Sequence, residues 1–120
     1  MESHTSSNAG SAPTSVDLPN GVGVSVEHTT AVCINPQRDL HGPSVVRAAN
    51  GNLLLSHQDS DQHRGGDGYV HQWRSTDNGF SWRDEGPAAD WRSRNIDALF
   101  GEYARAPDGT LIMFVQRRQP

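Results

Sequence analysis

Ser75-Thr76-Asp77-Asn78-Gly79-Phe80-Ser81-Trp82 is written in the residue types that a tight hairpin turn requires. Asp77 can accept hydrogen bonds from the turn's own backbone amides, and the Ser75 and Ser81 hydroxyls can close it from either side. Gly79 tolerates the positive φ that reverses the chain, and Trp82 offers a broad apolar face to pack beneath it. Just upstream, Tyr69, His71 and Trp73 alternate with Val70, Gln72 and Arg74, the period-two pattern of a strand. Phe80-Ser81-Trp82-Arg83 then begins the strand that returns.

Working outward, residues 44–47 and 53–57 are short apolar runs joined by Ala48-Ala49-Asn50-Gly51-Asn52. Asn-Gly between two such runs is a strong hairpin signal. A turn region at 35–43 precedes them, and a polar loop at 59–68 leads to the Tyr69 strand. Residues 44–85 therefore hold four antiparallel strands, the content of one propeller blade. The signals then restart: Arg105-Ala106-Pro107-Asp108-Gly109-Thr110-Leu111-Ile112 restates Arg47-Ala48-Ala49-Asn50-Gly51-Asn52-Leu53-Leu54 at an offset of 109 − 51 = 58 residues. A repeated strand-turn-strand unit argues for a propeller over a sandwich. The expected fold class is all-β, a partial β-propeller of about one and a half four-stranded antiparallel blades. Residues 1–20 are expected to be a disordered lead-in. Residues 21–120 are the propeller part, with Val- and Thr-rich strand content at 21–34, a first blade at 44–85 and a second begun at about 98–120.

Composition agrees with a loop-rich β chain. Apolar residues make up 33%, so the core is expected to be thin, and 12 glycines with 7 prolines punctuate the short runs. A net charge of −4 without a Lys/Arg stripe lacks the electrostatic term that nucleic-acid binding needs. The longest apolar runs, 53–55 and 111–115, are far below the roughly 20 residues of a membrane-spanning helix. The first 15 residues have neither a basic n-region nor an apolar h-region, so no signal peptide is read and the default expectation is a cytoplasmic protein. Cys33 stands alone, which suits a small buried hydrophobe.

The stretch 75–82 meets the pattern Ser-x-Asp-x-Gly-x-Ser/Thr-Trp at every specified place, and it is identified as an Asp-box, the BNR repeat of the sialidase (neuraminidase) superfamily. The order of signals around it is similar to that family's first blade: His41-Gly42-Pro43-Ser44, Val45-Val46, Asn50-Gly51, Leu53-Leu54-Leu55, the loop 59–68, then the box. The resemblance covers about residues 40–116. It implies the N-terminal part of a six-bladed propeller and an exo-glycosidase of the exo-α-sialidase type acting on glycan-linked sugars. It also implies that Ser75, Asp77, Gly79, Ser81 and Trp82 are structural and lie away from the site.

Sialidases, as the resemblance implies, hold the sugar carboxylate with three arginines, use a tyrosine nucleophile and protonate the leaving oxygen with a loop aspartate. His41 stands where the first arginine belongs, and an imidazole is a part-time cation without the planar fork. Asp67 is the candidate acid/base, with Asp59 and Asp61 as rivals in the same loop. His41, Arg64, Arg94 and Asp97 are the candidate substrate-binding residues, Arg94 and Asp97 as a pair. The nucleophile and the distal arginines are expected beyond residue 120, so the chain is expected to be inactive alone and to need the remaining blades. The implied ligand is a sialoside or another acidic glycan. No cofactor is expected, and no metal, because His57, His63 and His71 have no spacing that fixes a coordination geometry. Two other functions fit the same residues. One is a non-catalytic carbohydrate-binding or interaction propeller, and the other a polysaccharide lyase or hydrolase using Tyr69 and His71 as an acid/base pair.

Overall fold

A computed structural model describes residues 14–63 and 66–119. The chain is all-β, with antiparallel sheets and no closed one among the described residues. Strands β1 (Thr14–Asp17) and β2 (Gly23–Val26) form an exposed hairpin. Part of the expected lead-in is thus paired, while residues 1–13 lie outside the described ones. Strands β3 (Asp39–Arg47), β4 (Leu53–Ser60), β5 (Tyr69–Ser75) and β6 (Arg83–Ala89) make one four-stranded sheet in sequence order. Strands β7 (Asp97–Arg105) and β8 (Leu111–Arg118) form a further pair, preceded by a 3-10 turn at Arg92–Arg94.

The sequence repeat is a repeat of geometry. Between β3 and β4, the Ala48 amide donates to Asn52 O (2.8 Å), the Gly51 amide to Ala48 O (2.9 Å) and the Asn52 amide to Asn50 Oδ1 (3.0 Å). Between β7 and β8, the amides of Ala106, Gly109 and Thr110 make the same three bonds, each at 2.9 Å. Gly51 and Gly109 take φ of 89° and 88°, a conformation that glycine adopts without a Cβ penalty.

Three strand limits differ from expectation, each for a local reason. β3 starts at Asp39 rather than Ser44, because Gly42 (φ 66°) and a bulge between His41 and Ser44 let an edge strand pass through Pro43. β4 runs on through Asp59 and Ser60, since these polar side chains find buried partners at its end. β6 begins at Arg83, because Phe80, Ser81 and Trp82 still belong to the turn.

The register pairs Asp59 with Tyr69, His57 with His71 and Leu55 with Trp73, so these six share one face of the sheet. Residues 27–35 cross that face: Val32 and Cys33 share a cavity with Leu55 and His57, and the His28 ring lies 4.5 Å from that of Phe80. The other face receives β7. Ser56 Oγ donates to Gly101 O (2.7 Å), the Tyr103 amide to Ser44 Oγ (3.1 Å) and the Tyr103 hydroxyl to Gln72 Oε1 (2.6 Å). Among the described residues, Leu54, Tyr69, Val70, Trp73, Ala98 and Leu99 are the buried apolar ones, while nine polar or charged residues are equally buried. The apolar core is thin, and much of the interior depends on hydrogen bonds being made.

The 75–82 turn is closed by its own side chains. Ser75 Oγ donates to Asp77 Oδ1 (2.8 Å) and accepts from the Gly79 amide (2.8 Å). Asp77 Oδ1 accepts from the Ser81 amide (2.8 Å), its Oδ2 accepts from the Ser81 hydroxyl, and Trp82 Nε1 donates to Gly79 O (3.1 Å). Arg47 ties this turn to its neighbour, donating to Gly51 O (2.8 Å) and Asn78 Oδ1 (2.7 Å). All these turns sit at one end of the sheets, and residues 61–63, 66–68 and 90–96 sit at the other.

Candidate functional site

The loop end is built around a buried ion pair. Arg38, just ahead of β3, donates from Nε to Asp59 Oδ1 over 2.6 Å, and the two side chains are 4% and 0% exposed. A carboxylate removed from water in this way persists because it is paired and hydrogen-bonded. The same guanidinium reaches the backbone oxygens of Asp59 (3.2 Å) and Asp67 (3.0 Å) and the carboxylates of Asp61 (2.8 Å) and Asp67 (3.5 Å). Arg38 therefore holds the end of β4 and the following loop together.

From Asp59 a polar chain runs towards solvent. The Tyr69 hydroxyl donates to Asp59 Oδ2 (3.0 Å) and lies 3.3 Å from His71 Nδ1, and His71 Nε2 lies 2.6 Å from Asp84 Oδ1. Tyr69 and His71 are buried, whereas the Asp84 side chain is 41% exposed. Arg92 caps the Tyr69 ring with its guanidinium carbon 4.1 Å from the centroid, a cation–π contact. Its Nε and Nη2 hold both oxygens of Asp90 at 2.8 and 2.7 Å. That fork holds Asp90 below the usual carboxylate range and raises the Arg92 guanidinium further.

The structure sorts the expected site residues. Asp67 is half-exposed at the rim with φ 55°, beside a small cavity lined also by Arg92, Asn95, Ile96 and Asp97. Asp61 is more exposed still, while Asp59 is sealed beneath both. Of the three carboxylates, Asp67 is the one that faces the cavity. Arg64 lies outside the described residues. Asp97 is not paired with Arg94: its oxygens accept from the amides of Gly66 (3.0 Å) and Gly68 (3.1 Å), fixing the loop, and Arg94 is exposed in the 3-10 turn.

The histidines do not form the trio suggested by their nearness in sequence. His57 Nε2 accepts from Trp73 Nε1 (3.1 Å) and its Nδ1 donates to Gln58 O (3.0 Å), while its ring stacks on His71 at 5.3 Å. His63 instead stacks on His41 at 4.4 Å, and His41 Nδ1 lies 3.0 Å from Asp39 Oδ1. Sequence reasoning missed Arg38, Asp39 and Asp84. Arg38 and Asp39 fall in what reads as a turn, and nothing near Asp84 in the chain points to His71, 13 residues away.

No family model, no curated protein and no solved structure gives a significant match to this chain.

Proposed function

We propose that this chain contributes a first blade and the start of a second to a sialidase-like β-propeller whose loop end engages a glycan. The observation that carries the reading is the segregation of parts. The Asp77 box and the two Gly51-type turns share one end, and Arg38, Asp59, Asp67, Tyr69 and Arg92 gather at the other. Exposed carboxylates beside a small cavity are suited to sugar hydroxyls. In this reading further strands complete the β7–β8 sheet, and the nucleophile comes from another blade. The 120-residue chain then turns over no aryl sialoside, and turnover by the pure chain contradicts the placing of the nucleophile in another blade.

One observation favours a second reading, in which the propeller binds neutral glycan without hydrolysing it. Two of the described guanidinia near the cavity are already matched, Arg38 by Asp59 and Asp61 and Arg92 by Asp90, so neither of these offers a sugar carboxylate a free fork. Saturation-transfer NMR of the chain with lactose and with sialyllactose separates the two. Transfer confined to sialyllactose supports the sialidase reading, and equal transfer to lactose supports the neutral one. No transfer from either sugar contradicts both.

A further inference from the structure

We propose that Asp39, His41 and His63 form a binding site for a divalent transition-metal ion such as Zn²⁺. Each of the three offers one ligand atom, and these atoms lie within 4.8 Å of one another. Tetrahedral bonds of ~2.0–2.1 Å put ligand atoms about 3.3 Å apart, so small side-chain rotations close the set. Two imidazoles and one carboxylate form a donor set preferred by zinc, iron, cobalt and nickel over calcium or magnesium, with positions left for water or substrate.

The surroundings prepare these groups for a cation. Asp39 and His41 are two apart on β3 and so point the same way. His63 is delivered by a folded loop, because Ser60 Oγ donates to Gln62 O (2.7 Å) and the Asp61 amide to Gly66 O (2.9 Å). The Phe100 ring stands edge-on to His41 with centroids 5.3 Å apart, limiting its movement. Asp39 Oδ1 and His41 Nδ1 stand 3.0 Å apart, close to the separation of two ligand atoms on one ion, which would take the place of the proton they share. The nearby Arg38 charge does not oppose the ion, since Asp59 and Asp61 already match it.

The test is titration of the chain with Zn²⁺ by calorimetry, with Co²⁺ absorption reporting nitrogen ligation. The site predicts one ion per chain. His63→Ala weakens binding by about tenfold or more, and Asp39→Asn by a similar factor. His63 is exposed, so its variant keeps the wild-type circular dichroism, and His28→Ala, remote from the site, binds as the wild type does. Absence of binding by the wild type overturns the proposal. So does wild-type affinity in folded His63→Ala, or a loss in His28→Ala.

Discussion

Arg38 and Asp59 form an ion pair of 2.6 Å with both side chains cut off from solvent, and 21 residues of chain separate them. Removing one partner leaves the other charge buried and uncompensated, which costs about 3–5 kcal/mol. Arg38→Met should therefore lower the denaturant midpoint sharply, against a total stability of about 5–15 kcal/mol for a domain. The double variant Arg38→Met/Asp59→Asn should recover part of the loss. Strictly additive losses would show that the two do not interact as described.

Gly42 and Phe100 meet where the bulge of β3 faces the bulge of β7. A Cβ at Gly42 would lie 2.5 Å from Phe100 Cδ1, and the backbone there has φ 66°. Gly42→Ala should cost about 1–3 kcal/mol from the overlap, with roughly 1 more from the left-handed backbone. Adding Phe100→Ala should remove the overlap part and leave the backbone part. Chemical unfolding of Gly42→Ala, Phe100→Ala and the double variant measures this, and an unchanged midpoint for Gly42→Ala would refute the contact.

Asp77 gives the box turn a distinct pH dependence. The Ser81 hydroxyl, then the Ser81 amide and the Ser75 hydroxyl, lower its pKa from 3.8 to about 2. A carboxyl lowered by folding contributes stability that is full above its unfolded value and is lost as pH falls through the folded one. The contribution of Asp77 should accordingly fade between pH 3.8 and about 2. Asp77→Asn should be less stable near neutrality and should flatten that part of the pH–stability curve. An unaltered acid limb in the variant would count against the turn's hydrogen bonds.

Cys33 should be a slow thiol. Burial first, then the charges of Asp59 and Asp84, push its pKa up to about 12. Because the thiolate is the reactive form, labelling by a disulfide reagent at pH 8 should be roughly a hundredfold or more slower in the folded chain than in the unfolded one. Asp84→Asn should speed it. Equal folded and unfolded rates would mean that residues 27–35 do not lie across the sheet.

What the sequence made legible was local. The alternation through Tyr69, His71 and Trp73 marks β5 to the residue, and Asn50-Gly51 and Asp108-Gly109 mark turns whose hydrogen bonds repeat. The two turns rest on hydrogen bonds within five residues, and β5 on a period-two pattern that is visible without knowing its partners. The charged site was legible only in part. Asp67 and Asp97 were singled out, but the partners that decide their roles come from elsewhere in the chain: Arg38 for one, the Gly66 and Gly68 amides for the other. Asp59 read as a loop residue because a carboxylate in a strand is disfavoured until a buried guanidinium and a tyrosine hydroxyl satisfy it. Likewise nothing local foretells that His63 lands on His41, 22 positions earlier in the chain.

Amide chemical-shift mapping with lactose and sialyllactose tests the central claim most directly. If the loop end engages glycan, shifts should cluster at Asp61, Gly66, Asp67, Arg92 and Asn95, with Asn50, Asn78 and Asp108 at the turn end unmoved. Shifts confined to the turn end, or none with either sugar, would contradict the account.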